Sequence, residues 1–528
     1  MSYNYLIVGA GPTGLTLAWI LAKYGYKSLI IEREREIGGC HRVRRVNNLF
    51  VEHGPRIYYG GSSSFTQILK EMGTSWDAIF TPYKYSFSSE AIPLITSTGT
   101  LKDLFWLAAI QVGLFWNNNY GRDESMLHYM DRHNFSEPTQ DIVDSYCRLT
   151  DGAGADRYTV FQFSQLMNQH MFYQNFEPRL PNDKGLFKVW ARALAQTDLV
   201  DIWLDTEIIN LNESPKGQPG IITSATVMRE GYLVQIRADN YILAIPPQNF
   251  VQVLSNSAST NIKNAFGPLP ELKKWEKESR YIVYIPIVYH WDEKLDLEKP
   301  WTHPVGPWKV GFMVMSDYIA FSEPESRTVI TTVISQTDVV LPGLGKTANQ
   351  ATEEELKMAV LGILENHYGK LPPPAAMIMS PGVTRAGKHD QERWETRDTA
   401  FVLTESGFVD QKSNLVMNLY NVGPHNGYSK YDFTSIEAAV SNAFALIHKI
   451  VPEDPKNPEL NPKKVYEIKR PVTFNRIAWD ITTVIAVLIV VMIVWTVIKP
   501  YTKGIFTMKG GSQMAQRAQQ VPRPIPSK

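Results

Sequence analysis

The chain is 528 residues long with 44% hydrophobic and 11% aromatic content, enough to bury a large core across two domains. Its 53 Lys and Arg balance 53 Asp and Glu, which excludes the global basic field expected of a nucleic-acid partner. Two cysteines, Cys40 and Cys147, exclude a disulfide framework or thiolate metal cluster and point to a reducing compartment, while 11 scattered histidines offer no ligand spacing for a metal.

The first predicted element is a buried strand, Tyr5–Val8, running into Gly9-Ala10-Gly11-Pro12-Thr13-Gly14. A helical run through Ala22 follows, then Gly25 and a second strand, Ser28–Ile31, ending on Glu32. Gly9 permits a tight turn, Gly11 lets the backbone approach a pyrophosphate, and Gly14 lets the helix pack closely on the sheet. The helix N-terminus, with Pro12 and Thr13 in its first turn, faces the diphosphate with free N–H groups. Glu32, 18 residues beyond Gly14, is placed to accept hydrogen bonds from a ribose. Strand, turn, helix, strand and acid in this order predict a dinucleotide site. A chain that opens on such a strand is expected to carry no secretory signal.

Residues 32–42 continue as Glu-Arg-Glu-Arg-Glu-Ile-Gly-Gly-Cys-His-Arg, and residues 51–59 read Val-Glu-His-Gly-Pro-Arg-Ile-Tyr-Tyr. The acid, short spacer, Gly38-Gly39 pair and Gly54-Pro55 turn resemble the FAD-dependent amine oxidase superfamily. That group includes polyamine and monoamine oxidases, protoporphyrinogen oxidase, phytoene-type desaturases and UDP-galactopyranose mutases. The resemblance implies FAD as cofactor, with Glu32, Arg33, Gly38 and Gly39 along its ribose and phosphates, where a side chain on either glycine would clash. Many relatives carry Arg directly after the glycine pair. Cys40 stands there in this chain, so the arginine that meets the cofactor is Arg42, Arg44 or Arg45.

The expected fold class is α/β: a Rossmann-like FAD-binding domain interleaved with an α+β substrate domain, plus one C-terminal transmembrane helix. The flavin domain takes 1–88, 186–255 and 386–452. Between these lie a helix-rich substrate segment, 89–185, and a segment of strand-like runs, 256–385, including Tyr281–Tyr289 and Val329–Ser335, expected to floor the substrate pocket. Helix Leu186–Ala195 opens the second flavin segment. The strand Ile202–Leu211 follows, and by the resemblance Ile208 lies beside the adenine. Tyr241-Ile-Leu-Ala-Ile-Pro-Pro247 is similar to the family's strand ending in Ala-x-Pro-Pro. Leu419-Tyr-Asn-Val-Gly423-Pro-His-Asn-Gly427 and the helix beginning near Thr434-Ser435-Ile436 resemble the closing flavin motif, with Thr434 or Ser435 as N-cap. The helix terminus would stabilise an anionic reduced flavin. Relatives mostly carry an acid after this glycine, where Pro424-His425 stands here. Asp151-Gly-Ala-Gly-Ala-Asp156 lacks a flanking strand, so no dedicated NAD(P)H domain is expected.

At the C-terminal end, Ile481–Ile498 is an 18-residue run without a charge, bounded by Trp479 and by Lys499-Pro500-Tyr501. Its length and aromatic edges predict a bilayer span within 477–499. A Pro- and Lys-rich linker, 453–476, is expected to hold the globular part off the membrane, and a basic tail occupies 500–528. With a single C-terminal anchor, the catalytic domain is expected to face the cytosol, although the basic linker and basic tail give no charge bias that sets the orientation.

Candidate pocket groups are His53, Arg56, Tyr58, Tyr59, Tyr289, His425 and Tyr428, of which Arg56, His425 and Tyr428 are the catalytic candidates and His425 is placed to titrate near neutral pH. Amine oxidases usually supply a lysine from the substrate-domain sheet, yet no lysine lies within Arg280–Trp291. The expected activity is oxidation of a C–N or C–C bond in a small-molecule substrate by hydride transfer to flavin N5. One alternative is a reduced-flavin isomerase resembling UDP-galactopyranose mutase, whose Gly-Pro-His turn is similar to Val51–Tyr58. Another is a degenerate flavoprotein serving as a structural membrane component.

Overall fold

A computed structural model describes residues 3–469 except 53, 55, 85–86, 215–219, 282–284, 299–300, 323, 388–391, 397–401, 404–406 and 430–433, together with 476–482, 485, 488, 489 and 492. Five parallel strands form the central sheet, in the order Leu419–Asn421, Ala238–Leu243, Tyr3–Val8, Ser28–Ile31 and Val200–Trp203. Tyr3–Val8 is apolar almost throughout because a central parallel strand is covered on both faces. Tyr5 and Ile7 enter a core shared with helices Pro12–Lys23, Leu186–Ala195 and Ile436–Ile450. Leu6 and Val8 enter a second core, beneath an antiparallel sheet of Thr206–Glu213, Ile222–Arg229 and Tyr232–Ile236 and helix Pro247–Asn256.

The run expected as one strand, 202–211, is divided between these two sheets. Asp205 takes a left-handed conformation (φ 47°), and its N–H and that of Thr206 donate to the Glu34 and Glu32 carbonyls at 3.1 and 2.8 Å. The chain thereby leaves the parallel sheet beside the acid of the first motif and starts the antiparallel one. Helix Leu269–Glu278, expected in the substrate segment, packs Leu272 and Trp275 into the second flavin-domain core instead.

The segment expected as the substrate domain forms a five-stranded antiparallel sheet, ordered Trp301–Val305, Val310–Val314, Thr328–Ile334, Ile285–Trp291 and Ala376–Met379. Alternation along Ile285–Trp291 sends Ile287, Tyr289 and Trp291 into a core with helix Glu353–Tyr368. The opposite face carries Val288 and His290, and His290 Nε2 lies 2.9 Å from the Phe50 carbonyl. The hairpin Val383–Ala386/Arg393–Thr396 joins this domain through buried Trp394, although it straddles the boundary expected at 385. A helical cap of Leu101–Trp116, Met126–Arg132, Glu137–Asp151 and Val160–Phe172 has its own core around Ile110, Tyr129, Val143 and Tyr158. Capping boxes at Thr100/Asp103 and Thr159/Gln162 start two of its helices.

The stretch expected as a free linker is packed over part of its length. Tyr466 is fully buried against Phe444, with ring centroids 4.9 Å apart, and its carbonyl lies 2.9 Å from His448 Nε2. One aromatic side chain thus docks the segment that leads away from the flavin-domain helix. Most of the apolar run 481–498 lies outside the described residues, and among the described residues no helix is long and apolar enough to cross a membrane.

Candidate flavin site

A cavity of about 410 Å³ lies at the C-terminal ends of the parallel strands, where ligands of open α/β sheets bind. Gly9, Gly11, Pro12 and Thr13 line it, and helix Pro12–Lys23 starts there with Gly11 as N-cap. Gly14 lies just behind the wall: a Cβ there would stand 2.0 Å from the Gly9 carbonyl oxygen, so only glycine lets the helix meet the turn. Glu32 also lines the cavity. Its Oε2 accepts the Ala10 N–H at 2.8 Å and its Oε1 the Glu34 N–H at 3.1 Å. Arg33 and Ile208 line the same end.

Gly38 and Gly39 both have positive φ, 118° and 57°. A Cβ on Gly39 would sit 3.0 Å from the Gly11 Cα, whereas one on Gly38 would strike the Phe187 ring at 2.6 Å. Gly39 therefore completes the cradle from the cavity side, and Gly38 permits close packing behind it. Among the three candidate arginines, Arg42 is the one that lines the cavity, buried, with NH1 3.9 Å from Glu32 Oε1. Arg44 pairs with Glu34 at 3.3 Å and Arg45 with Asp183 at 3.0 and 3.2 Å.

The closing motif arrives opposite. Ser435 is the N-cap, its Oγ accepting the Ala438 N–H at 3.0 Å, and Gly423, Ser435 and Ile436 line the cavity. Thr13 Oγ1 donates to the Ala439 carbonyl at 3.3 Å, tying the first motif's helix to the last one's across 426 residues. Glu437, buried in that helix's first turn, accepts the N–H groups of Ser64 and Phe65 at 2.9 and 3.0 Å and so caps helix Ser63–Glu71.

The three catalytic candidates separate. Arg56 lines the cavity and is buried. His425 also lines it, but its Nε2 lies 2.8 Å from Asn421 Oδ1, and burial pulls its pKa down to about 3. A neutral, oriented imidazole replaces the expected near-neutral titration. Tyr428 turns to the surface, where its hydroxyl accepts from Lys449 Nζ at 2.8 Å. Tyr59 lines the cavity, whereas Tyr58 is buried behind it, its hydroxyl 3.0 Å from both His41 Nδ1 and Asn182 Nδ2. Tyr289 donates to the Lys357 carbonyl at 2.7 Å inside the substrate-domain core. Among the described residues, the sheet expected to floor the pocket contributes nothing to this cavity's lining. His53 and Pro55 lie outside the described residues, and Gly54 is buried without lining the cavity.

Behind Arg56 is a cluster that motif reading missed. Glu52 and Glu177 are buried, and the Tyr83 hydroxyl lies 3.0 Å from Glu177 Oε1 and 2.8 Å from the Arg56 carbonyl. Burial pushes the Glu52 pKa up to about 8 against the opposing charge of Arg56, and burial followed by Glu52's own charge raises that of Glu177. The available signal was an acid at the end of the apolar run Leu49–Val51 and another inside Asn175–Pro178.

A family model of NAD(P)-binding Rossmann-like domains matches residues 7–72. A UDP-galactopyranose mutase from Mycoplasma genitalium is 41% identical over 61 residues, a match spanning 11% of this chain and 15% of that enzyme's length. Solved structures extend the likeness to the whole fold. An oxidoreductase from Methanosarcina mazei superposes with a TM-score of 0.54 at 15% identity, over 84% of this chain and 99% of its own. Putrescine oxidase bound to putrescine gives 0.54 at 14% identity over 85% and 99%. Cyclohexylamine oxidase from Brevibacterium oxydans gives 0.51 at 11% over 84% and 97%. The chain has the amine oxidase fold.

Within this amine oxidase fold, the residues present fit FAD. The Gly11/Gly39 approach leaves a cradle that any added side chain would fill. Thr434 Oγ1 is buried at the cavity wall without a hydrogen-bond partner among the described residues, a group a ligand would satisfy.

Proposed function

We propose that this protein is a membrane-anchored, FAD-dependent oxidoreductase that oxidises a C–N or C–C bond of a small organic substrate. The observation that carries the reading is the convergence of distant segments on one cavity: Gly9 with Gly11–Thr13, Gly39–Arg42, and Gly423–His425 with Thr434–Ile436. The Gly9–Gly14 turn and its helix N-terminus would hold the pyrophosphate, Glu32 the ribose, and the Ser435-capped terminus the flavin ring. When bound, the flavin would supply a two-electron acceptor for hydride from a substrate C–H bond, with oxygen or another oxidant as the final acceptor. Arg56, Tyr59 and the neutral His425 orient groups within the cavity. The apolar run 481–498 is the anchor, and a chain with two cysteines, too few for a disulfide framework, favours a domain on the cytosolic, reducing side.

The test is an absorbance spectrum of the detergent-purified protein, beside Gly11→Val. Flavin bands at about 375 and 450 nm that vanish in the variant are expected. A folded, colourless protein that takes up no added FAD would leave the structural membrane role. The local match to a UDP-galactopyranose mutase supports a second reading, flavin-dependent isomerisation, which requires a reductant for turnover of a sugar nucleotide where an oxidase requires an oxidant.

A further inference from the structure

Helix Leu101–Trp116 is apolar on its outward face as well as on its inward one, which is unusual for a helix at a protein surface. Its inward face is Asp103, Ile110 and Leu114, all buried. Its outward face is a stripe of Leu101, Phe105, Ala108, Val112 and Trp116, spaced four, three, four and four residues apart. The four large members are 88, 64, 59 and 77% exposed. Charge does not interrupt this stripe. Asp103 is the buried half of the capping box, and Lys102 is engaged at the helix start, donating to the Asn134 carbonyl at 2.8 Å. Sixteen residues at 1.5 Å each make a ridge about 24 Å long.

What lies against the end of this helix indicates its occupant. Trp479, two residues ahead of the apolar run 481–498, stacks on Phe115 with ring centroids 4.6 Å apart and planes 13° apart. Its Nε1 donates to the Phe115 carbonyl at 2.8 Å. From that contact the chain continues with Ile481, Ile485, Leu488, Ile489 and Met492, all exposed. Two exposed apolar surfaces therefore meet at one aromatic stack. Aromatic residues at such a junction suit the boundary between headgroups and acyl chains.

We propose that the outward face of helix Leu101–Trp116 lies in the interfacial layer of the same bilayer that receives the 481–498 run, forming a second, in-plane membrane attachment. The proposal rests on the anchor reading above. Two attachments remove the swivel that a single span allows, so the substrate-domain cap keeps one fixed face toward the lipid.

The test places the photo-crosslinking residue p-benzoylphenylalanine, one site at a time, at Phe105, Trp116, Leu488 and Met358 of the full chain in phosphatidylcholine vesicles. Met358, on the outer side of helix Glu353–Tyr368, is the exposed apolar control at 56%. Lipid adducts at 105 and 116 as abundant as at 488, with none above background at 358, are expected. Adducts at 488 alone would leave the anchor standing and overturn the second attachment. Adducts at 105 and 116 without 488 would uphold the attachment and overturn the anchor. Chain-to-chain products at 105 and 116 in place of lipid adducts would assign the stripe to a second copy and overturn the proposal. Equal yields at 105, 116 and 358 would also overturn it.

Discussion

The carboxylate of Glu32 accepts the backbone N–H of Ala10 at 2.8 Å, so an acid that lines the cavity also clamps the glycine-rich turn. Its other oxygen accepts the Glu34 N–H and faces Arg42 at 3.9 Å. Both bonds hold the carboxylate at the cavity wall. Glu32→Gln keeps the shape and loses charge, and one of its positions becomes a donor facing a donor. Hydrogen bonds to a charged group contribute about 1.5–3 kcal/mol, so FAD affinity is expected to fall roughly tenfold to a hundredfold. Titration of the apoprotein with FAD, followed by flavin fluorescence, measures this, and unchanged affinity would remove Glu32 from the site.

Two glycines of one turn are expected to fail differently. A Cβ on Gly14 would lie 2.0 Å from the Gly9 carbonyl oxygen and 3.3 Å from Ile7 Cγ2, so Gly14→Ala must displace the helix from the sheet. Overpacking of that kind costs about 1–3 kcal/mol, and a lower urea midpoint is expected. At Gly11 the nearest atom to an added Cβ is the Gly39 Cα at 3.7 Å, and the side chain would enter the cradle. Gly11→Val should therefore unfold at the urea midpoint of the wild-type apoprotein yet purify colourless. The reverse pattern would mean that the roles of the two glycines are exchanged.

The parts of the site that could be read from the chain are those whose backbone geometry demands a residue type. Gly9, Gly39 and Glu32 are recognisable because a positive φ, a close approach or an acid that caps the turn from the end of the second strand leaves few alternatives. Arg42 could not be told from Arg44 and Arg45, since pairing with Glu34 or Asp183 is decided by side chains that converge only in the fold. Tyr428 was misplaced for a related reason: proximity to Gly423 in sequence does not set direction, and Lys449 draws its hydroxyl outward. Asp205 was invisible as a break because an Asp in a left-handed turn leaves no gap in the hydrophobic pattern on either side. Glu52 and Glu177 come from segments more than a hundred residues apart, and nothing local announces that they share one buried arginine.

Glu437 joins the last flavin helix to helix Ser63–Glu71 by accepting two N–H groups of that helix's first turn. The bond to Ser441 Oγ at 3.3 Å completes its set. Glu437→Ala leaves buried donors at an uncapped N-terminus, and a loss of about 2–4 kcal/mol is expected. Glu437→Gln supplies one acceptor for two donors and should fall between wild type and Ala. Denaturant midpoints of the three proteins in the same buffer give the order, and an Ala variant as stable as wild type would show that this contact does not hold the helices together.

Glu52 supplies the pH dependence. Its folded pKa is raised to about 8 by burial, while in the unfolded chain it ionises near the ordinary 4.5. Between those values the folded state holds a proton that the unfolded state has released. Stability is therefore full below about pH 4.5 as far as this group is concerned, and falls as pH rises toward about 8. Glu177 is shifted in the same direction and adds to the slope. Each such group contributes at most about 1.4 kcal/mol per pH unit. Urea midpoints of the wild type are expected to decline from pH 5.5 to 7.5, with a shallower decline in Glu52→Gln and a shallower one again in Glu52→Gln/Glu177→Gln. The amide mimics the protonated carboxyl, so the variants should approach wild type at the acid end and exceed it at the alkaline end. Curves that remain parallel at every pH would show that both acids are ionised in the folded protein, and that Arg56 faces two full negative charges.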